Sequence, residues 1–270
     1  MNTSELLEVA IAAAMKAGQQ LLDCYDTPLV VSAKESVRDL YSSADKLAEE
    51  RAISVLRGNN SKVSILAEES GFLGPNVGED YWIVDALDGT VNYLQHVPFF
   101  SVSIAYMSKG ETLVSAVYAP LVDDMYYAAK GMGAFKNQRK ITTPDRAPEE
   151  SLFATSFSGK SYDPVNRKNE FIKFGEINDL TRGCLRTGSA ALNLAYLAEG
   201  RFNGCWGKAN KVWDISAGLL LAREAKATVQ EIVIPGSIDK LHYLAAAPQN
   251  FEFLKSRLMP LFNNSANDAE

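Results

Sequence analysis

Histidine is nearly absent: the 270 residues include two, His96 and His242. A Ser-His-Asp hydrolase needs a histidine base, and many zinc centres lean on imidazole. Neither is expected here, which leaves the chemistry to carboxylates and hydroxyls. Cysteine is scarce too. Cys24, Cys184 and Cys205 are odd in number, far apart and outside any CxxC pair, the pattern of free thiols in a reducing compartment. No apolar run approaches the ~20 residues of a membrane span. The N-terminus carries Glu5 and Glu8 and lacks the basic-then-apolar order of a secretion signal. A soluble cytoplasmic protein without a membrane partner is therefore expected. An excess of basic charge is also missing: the net charge is -6, with 27 Lys and Arg against 33 Asp and Glu. Such a balance disfavours a nucleic-acid binder. If the protein handles an anion, it needs a local positive charge, and a bound metal supplies one.

What is present is ample core. Hydrophobic residues make up 47% and aromatics 10%, enough for one large domain or two small ones. Helical spacing of Leu7, Ile11, Ala14, Gly18, Leu21 and Tyr25 predicts a helix over 4–25, with Asn2 and Glu5 as a cap pair. Residues 29–32 read as a short strand and 34–40 as a polar loop. Ser42-x-x-Asp45 opens a second helix with the stripe Ala44, Ala48, Ala52 and Val55, ended by Gly58. Residues 62–67 read as a strand, and 71–80 as a Gly-rich acidic loop. Strands near 100–107, 112–118 and 124–129 form a meander, with a turn at 108–110. Pro144 and Pro148 mark a boundary, which predicts an N-terminal subdomain over 1–145 and a C-terminal one over 146–270. In the second half, strands at 151–157, 183–187, 202–206, 228–233 and 242–247 alternate with helices at 165–178, 189–199, 214–226 and 248–259. Residues 207–211 are read as a basic loop, with Lys208 and Lys211 solvated. The alternation implies helices packed on sheets.

The stretch Tyr81-Trp-Ile-Val-Asp85-Ala-Leu-Asp88-Gly89-Thr90-Val-Asn-Tyr93 organises the rest. Four apolar residues predict a buried strand that ends in two carboxylates. Those carboxylates can share a hard cation such as Mg²⁺. Gly89 and Thr90 offer backbone N–H groups to an anion if a helix starts there. Asp-Gly is equally a common hairpin turn, and both readings stand from this stretch alone. Asp45, Glu68 and Asp214 are further acids at element ends. Asp45 suits a capping box and Asp214 an N-cap, so each also has a purely structural reading. A near P-loop at Ala154 to Ser161 lacks its first glycine. It also meets Pro164 where the helix should be running, so nucleotide hydrolysis is disfavoured.

Asp85 to Tyr93 resembles the first signature of the inositol monophosphatase family, D-P-[IL]-D-G-T-x-N-[FY]. Trp213-Asp214-Ile215-Ser216-Ala217-Gly218 resembles its second, W-D-x-[AS]-A-[AG]. Ala67-Glu68-Glu69-Ser70 resembles its G-E-E-S, and Arg186 to Ala191 its substrate-side G-[TS]-A-A turn. Lys34 and Asp45, with Asp39 between, match its upstream spacing. The resemblance implies an α+β layered fold, an αβαβα sandwich, with most metal ligands in the first subdomain and the substrate-side residues in the second. It implies a Mg²⁺-dependent, lithium-sensitive phosphomonoesterase, commonly a homodimer, that hydrolyses a small phosphorylated alcohol by metal-activated water. Inositol monophosphate is the first expectation. The others are 3′-phosphoadenosine 5′-phosphate, fructose 1,6-bisphosphate and histidinol phosphate, and a non-catalytic phosphate-binding protein is the alternative of another class. By resemblance, Glu68, Asp85, the Leu87 carbonyl, Asp88 and Asp214 bind two or three Mg²⁺ ions. Asp45 and Thr90 orient the water, with Glu68 the third catalytic residue. Gly89 and Thr90 hold phosphate, while Asp88, Ser189 and Ala190 face the alcohol. Two departures are visible. Ala86 stands where the family usually has proline, and Gly207 where inositol-specific members carry a glutamate. The basic residues at 208 and 211 hint at an additional anionic group on the substrate. The implied chemistry is physically coherent, because phosphoryl transfer asks mainly for positioning and charge neutralisation.

Overall fold

The computed structural model describes residues 1–33, 40–59, 62–74, 79–157, 164–237 and 239–263. Lys34, Asp39, the Gly159-Lys160-Ser161 part of the P-loop-like run and residues 75–78 lie outside them.

Helix α1 (Thr3–Cys24) starts on a reciprocal cap: Glu5 N–H donates to Asn2 Oδ1 at 3.0 Å and Asn2 N–H to Glu5 Oε2 at 2.9 Å. Its buried face is Leu6, Val9, Ala10, Ala13, Ala14, Ala17, Gly18, Leu21 and Cys24. The predicted stripe shares Ala14, Gly18 and Leu21 with that face. Leu7, Ile11 and Tyr25 instead flank it, half-buried. The small residues go inward because sheet side chains press against the helix: a Cβ on Gly18 would sit 2.5 Å from the Tyr118 ring. A two-stranded ribbon, β1 (Val31–Ala33) and β2 (Leu40–Ser42), leads to α2 (Ser43–Asn59), which packs beside α1.

The first sheet comprises β3 (Ser64–Ala67), β4 (Gly71–Leu73), β5 (Asp80–Asp88), β6 (Ser101–Ser108), β7 (Glu111–Ala119), β8 (Asp124–Ala129), β9 (Gly133–Lys136) and β10 (Arg139–Ile141). Its order is β10-β9-β8-β7-β6-β5-β3-β4, antiparallel except for the parallel pair β3–β5. Part of the predicted acidic loop is thus the edge strand β4. Lys109 and Gly110, both at positive φ, close the β6–β7 hairpin, as a two-residue turn matched to strand twist requires. The short helix α3 (Thr90–Leu94) leaves β5 at the site.

The second sheet comprises β11 (Leu152–Ser156), β12 (Gly183–Leu185), β13 (Gly204–Lys211), β14 (Thr228–Val233) and β15 (Lys240–Ala246), in the order β12-β11-β13-β15-β14. β12, β11 and β13 run parallel, and the other two pairings are antiparallel. Helices α4 (Pro164–Asp179), α5 (Ala190–Glu199), α6 (Val212–Glu224) and α7 (Pro248–Phe262) accompany it.

Four apolar cores separate five layers. One lies between α1, α2 and the first sheet, with Trp82 and Val84. The opposite face of that sheet, with Ile83, packs on α5 and α6. The far sides of α5 and α6 meet the second sheet, and α7 with Ile177 of α4 covers its outer face. The fold is the expected αβαβα sandwich of the α+β class. Coverage on both faces explains why β5 reads as a continuous apolar run. No described helix is long and apolar enough to cross a membrane.

Candidate active site

The strand β5 continues through Asp88 instead of stopping at Asp85. Residues three apart on a regular strand point to opposite faces. Asp85 pairs with Ser103 and Asp88 with Ser101, so β5 spends one more residue than β6 between these pairs. This bulge cancels the half-period and turns both carboxylates to one side. Leu87 N–H donates to Asp85 Oδ1 at 2.9 Å, locking the bulge.

Neighbouring elements bring the other acids to it. Ala67 is the register partner of Val84, and Glu68 N–H donates to the Val84 carbonyl at 3.1 Å. Glu68 therefore stands beside Asp85. Ser103, opposite Asp85 on β6, donates its hydroxyl to the Trp213 carbonyl at 3.0 Å. That bond holds the first turn of α6 against the sheet and delivers Asp214. Asp214 is the third residue of α6, whose N-cap is Lys211, so it is not the cap expected from sequence. It accepts instead from the Lys211 N–H. The outcome is a cluster in which one carboxylate oxygen each from Glu68, Asp85 and Asp214 lies within 4.8 Å of the others.

Asp88 is near but engaged differently. Its Oδ2 accepts from the Ser189 hydroxyl at 2.6 Å and from Ala191 N–H at 2.7 Å. The Ser189 hydroxyl also caps α5 by accepting from Leu192 N–H at 3.2 Å. Ala190, the first residue of α5, lends its N–H to Asp88 as well. On the other flank, Thr90 donates its hydroxyl to Asp45 Oδ1 at 2.9 Å and lies 3.3 Å from the Leu87 carbonyl. Asp45 Oδ2 accepts from Ser42 N–H at 2.9 Å and from the Ser42 hydroxyl at 2.5 Å. Asp45 thus closes the N-terminus of α2 and accepts from Thr90 at once. Gly89 precedes α3 at φ +107°, and a Cβ there would lie 3.1 Å from the Phe99 carbonyl and Phe100 Cβ.

Burial is the largest cause pushing the Asp85 and Asp214 carboxyls well above the ordinary range. For Asp85 the neighbouring acids Glu68, Asp88 and Asp214 add to it. Asp88 is raised to about 6 by burial, against its hydrogen bonds to Ser189 and α5. Asp45 is raised as well, again by burial first. Buried acids crowded this closely need protons or a cation between them.

Sequence reading gave no role to three residues that hold the arrangement. Ser103 anchors Trp213, as above. Asn92 Nδ2 donates to the Phe99 carbonyl at 2.7 Å and the Thr187 carbonyl at 2.8 Å, tying α3 to the turn before α5. Glu49, one turn beyond Asp45, binds the segment that follows Glu68. Polar residues inside strand and helix patterns give no such warning from sequence.

The expected basic loop at 207–211 is strand. It belongs to β13, with a bulge between Gly207 and Asn210 and Ala209 at φ 51°. Nor are its lysines solvated. Lys208 is 2% exposed. Lys211 pairs with Asp239 and lies over the Trp213 ring. The space beside Gly207 is filled by Asn210: a Cβ there would lie 2.0 Å from Asn210 Oδ1.

The model of the Inositol monophosphatase family matches residues 2–253. The chain belongs to the inositol monophosphatase family. The inositol-1-monophosphatase of Mesorhizobium japonicum is 35% identical over 236 residues, covering 86% of this chain and 87% of that protein. The Nus factor SuhB of Pseudomonas aeruginosa is 33% identical over 262 residues, covering 94% and 96%. Among solved structures, the inositol monophosphatase from Anabaena (Nostoc) sp. PCC 7120 has a TM-score of 0.82 at 34% identity, covering 98% of this chain and all of that one. The inositol monophosphatase family is one of phosphatases, generally Mg²⁺-dependent. The residues present suit such an ion. The donors are carboxylate oxygens, the hard ligands Mg²⁺ takes, and three of them gathered around buried Asp85 leave charge for a cation to offset.

Proposed function

We propose that the protein is a Mg²⁺-dependent phosphomonoesterase acting on a small phosphorylated alcohol, with inositol monophosphate the first candidate. The observation that carries this reading is the Glu68–Asp85–Asp214 cluster within 4.8 Å, set beside the Thr90–Asp45 pair. Glu68, Asp85, the Leu87 carbonyl, Asp88 and Asp214 would hold two or three ions. Bound there, Mg²⁺ supplies charge neutralisation and Lewis acidity toward phosphate oxygens.

The chain's own groups do the positioning. Thr90 has committed its hydroxyl hydrogen to Asp45, so its oxygen lone pairs are left to accept from an incoming water. Asp45 is a stronger base than a surface aspartate because burial raises its pKa. The pair thus orients the water and draws off its proton. Gly89 and Thr90 present backbone N–H groups to the phosphate. Asp88 and Ser189, already 2.6 Å apart, face the leaving alcohol.

The side chains around Gly207 favour an uncharged alcohol over a substrate with a second phosphate. Lys211 is neutralised by Asp239, and Lys208 is buried within the fold. The test strips the protein with chelator, adds back Mg²⁺, and measures phosphate release from inositol 1-phosphate, 3′-phosphoadenosine 5′-phosphate, fructose 1,6-bisphosphate and histidinol phosphate. Fastest Mg²⁺-dependent turnover of the inositol ester is expected, with inhibition by lithium. Phosphate binding without release would replace the enzyme by a binding protein. Sedimentation velocity of the same sample reads the homodimer that the family resemblance suggests.

A further inference from the structure

Helix α2 carries two buried acids one turn apart. Asp45 is 3% exposed and Glu49 1%. Residues four apart share one helix face, and here each carboxylate reaches a different strand end of the site. Asp45 takes Thr90, just past the end of β5. Glu49 takes the turn after β3: its Oε2 accepts from Glu69 N–H at 2.8 Å, and its Oε1 from Ser70 N–H at 3.0 Å and from the Ser70 hydroxyl. Glu69 and Ser70 immediately follow Glu68, whose own N–H is fixed to Val84.

We propose that Glu49 is a positioning residue for the metal centre, holding the Glu68 carboxylate against Asp85 and Asp214 by clamping the two residues that follow it. Three donors converge on one buried carboxylate, and all three belong to the turn that aims Glu68. Surface turns between short strands close without such help. A buried glutamate here does more than join β3 to β4, because it sets the backbone beside a ligand from the same helix that sets Thr90. Partners that orient a metal ligand typically change metal affinity by about 10–100-fold when removed.

This inference rests on the reading of Glu68 as a metal ligand, and the experiment separates the two. Mn²⁺ binding to chelator-stripped protein is measured by electron paramagnetic resonance without substrate, and melting temperature with and without Mg²⁺. Wild type, Glu49→Gln, Ser70→Ala and Glu68→Gln are compared. Wild-type protein binds Mn²⁺ and Glu68→Gln loses it if the parent reading holds. A wild-type protein that ignores Mn²⁺ ends that reading, and this inference with it. Given a normal wild type, Glu49→Gln is expected to weaken Mn²⁺ binding by about 10-fold or more and to shrink the Mg²⁺-induced rise in melting temperature. A merely structural role would lower the melting temperature equally with and without metal and leave Mn²⁺ affinity unchanged; that result overturns the proposal. If Glu49→Gln does not fold, Ser70→Ala decides. It removes only the hydroxyl donor, is expected to weaken Mn²⁺ binding several-fold, and overturns the proposal if its affinity equals wild type.

Discussion

In metal-free protein the contribution of Asp88 to stability should fall as pH rises from about 4 to about 6, the reverse of what an ion-paired carboxylate produces. Asp88 is the group that can be followed. Its carboxyl moves from an ordinary 3.8 to about 6 on folding, chiefly through burial. A folded-state pKa above the unfolded value means that the folded protein holds the extra proton between the two. Its contribution is then most favourable below pH 4, falls through that window and levels off above it. At roughly 1.4 kcal/mol for each tenfold change in proton affinity, the loss at neutral pH is about 3 kcal/mol. In a chain of this length that is a fall in Tm of roughly 5–10 °C. Asp85 and Asp214 shift in the same direction and Glu199 in the opposite one, so the difference between wild type and an Asp88 variant isolates this contribution. Asp88→Asn keeps an oxygen for Ser189 and Ala191 while removing the charge. In EDTA it should equal wild type near pH 4 and exceed it near pH 7. In saturating Mg²⁺ the order reverses, because the charge now has a cation to meet. Calorimetry of both proteins across pH 4–7 in EDTA tests this. A wild-type-minus-variant difference that is flat, or that favours wild type as pH rises without metal, refutes the reasoning.

Substitutions at three positions near the site make further tests. Thr90→Val, which removes the hydroxyl between Asp45 and the proposed water, should cut kcat by about 10²-fold or more while leaving Mn²⁺ binding in place; Thr90→Ser should restore most turnover in the same phosphate-release assay. Asp45→Asn should lower kcat similarly, with little change in KM. Gly89→Ala forces a side chain at φ +107° against the Phe99 carbonyl, so urea denaturation should show a loss of about 1–3 kcal/mol alongside lost activity.

The acid signature around Asp85 was legible in the chain because a buried strand and a long motif leave local marks, and the five-layer plan followed from the family resemblance that those motifs carry. The reason Asp85 and Asp88 cooperate was not. A three-residue spacing on a strand argues for opposite faces, and only pairing with Ser101 and Ser103 of β6 exposes the extra residue. Residues 207–211 were misread for a related reason: a bulge with Ala209 at positive φ breaks the alternation that would announce a strand. Glu49 looks like any charged residue of an amphipathic helix. It is buried because a turn some twenty positions later folds over it, which no local pattern records. The stripe of α1 was displaced because alanines, weak markers of a buried face, lie where the sheet approaches closest.

Helices α5 and α6 are apolar on nearly every side because each is roofed by one sheet and floored by the other. Both come from late in the chain, yet the earlier sheet depends on them for half its cover. During synthesis, the strands carrying Glu68 and Asp85 therefore emerge long before their second wall and before Asp214. A nascent chain has no complete acid cluster to load with an ion until α6 has been made and has docked. Metal capture would then report the completion of folding, not its beginning.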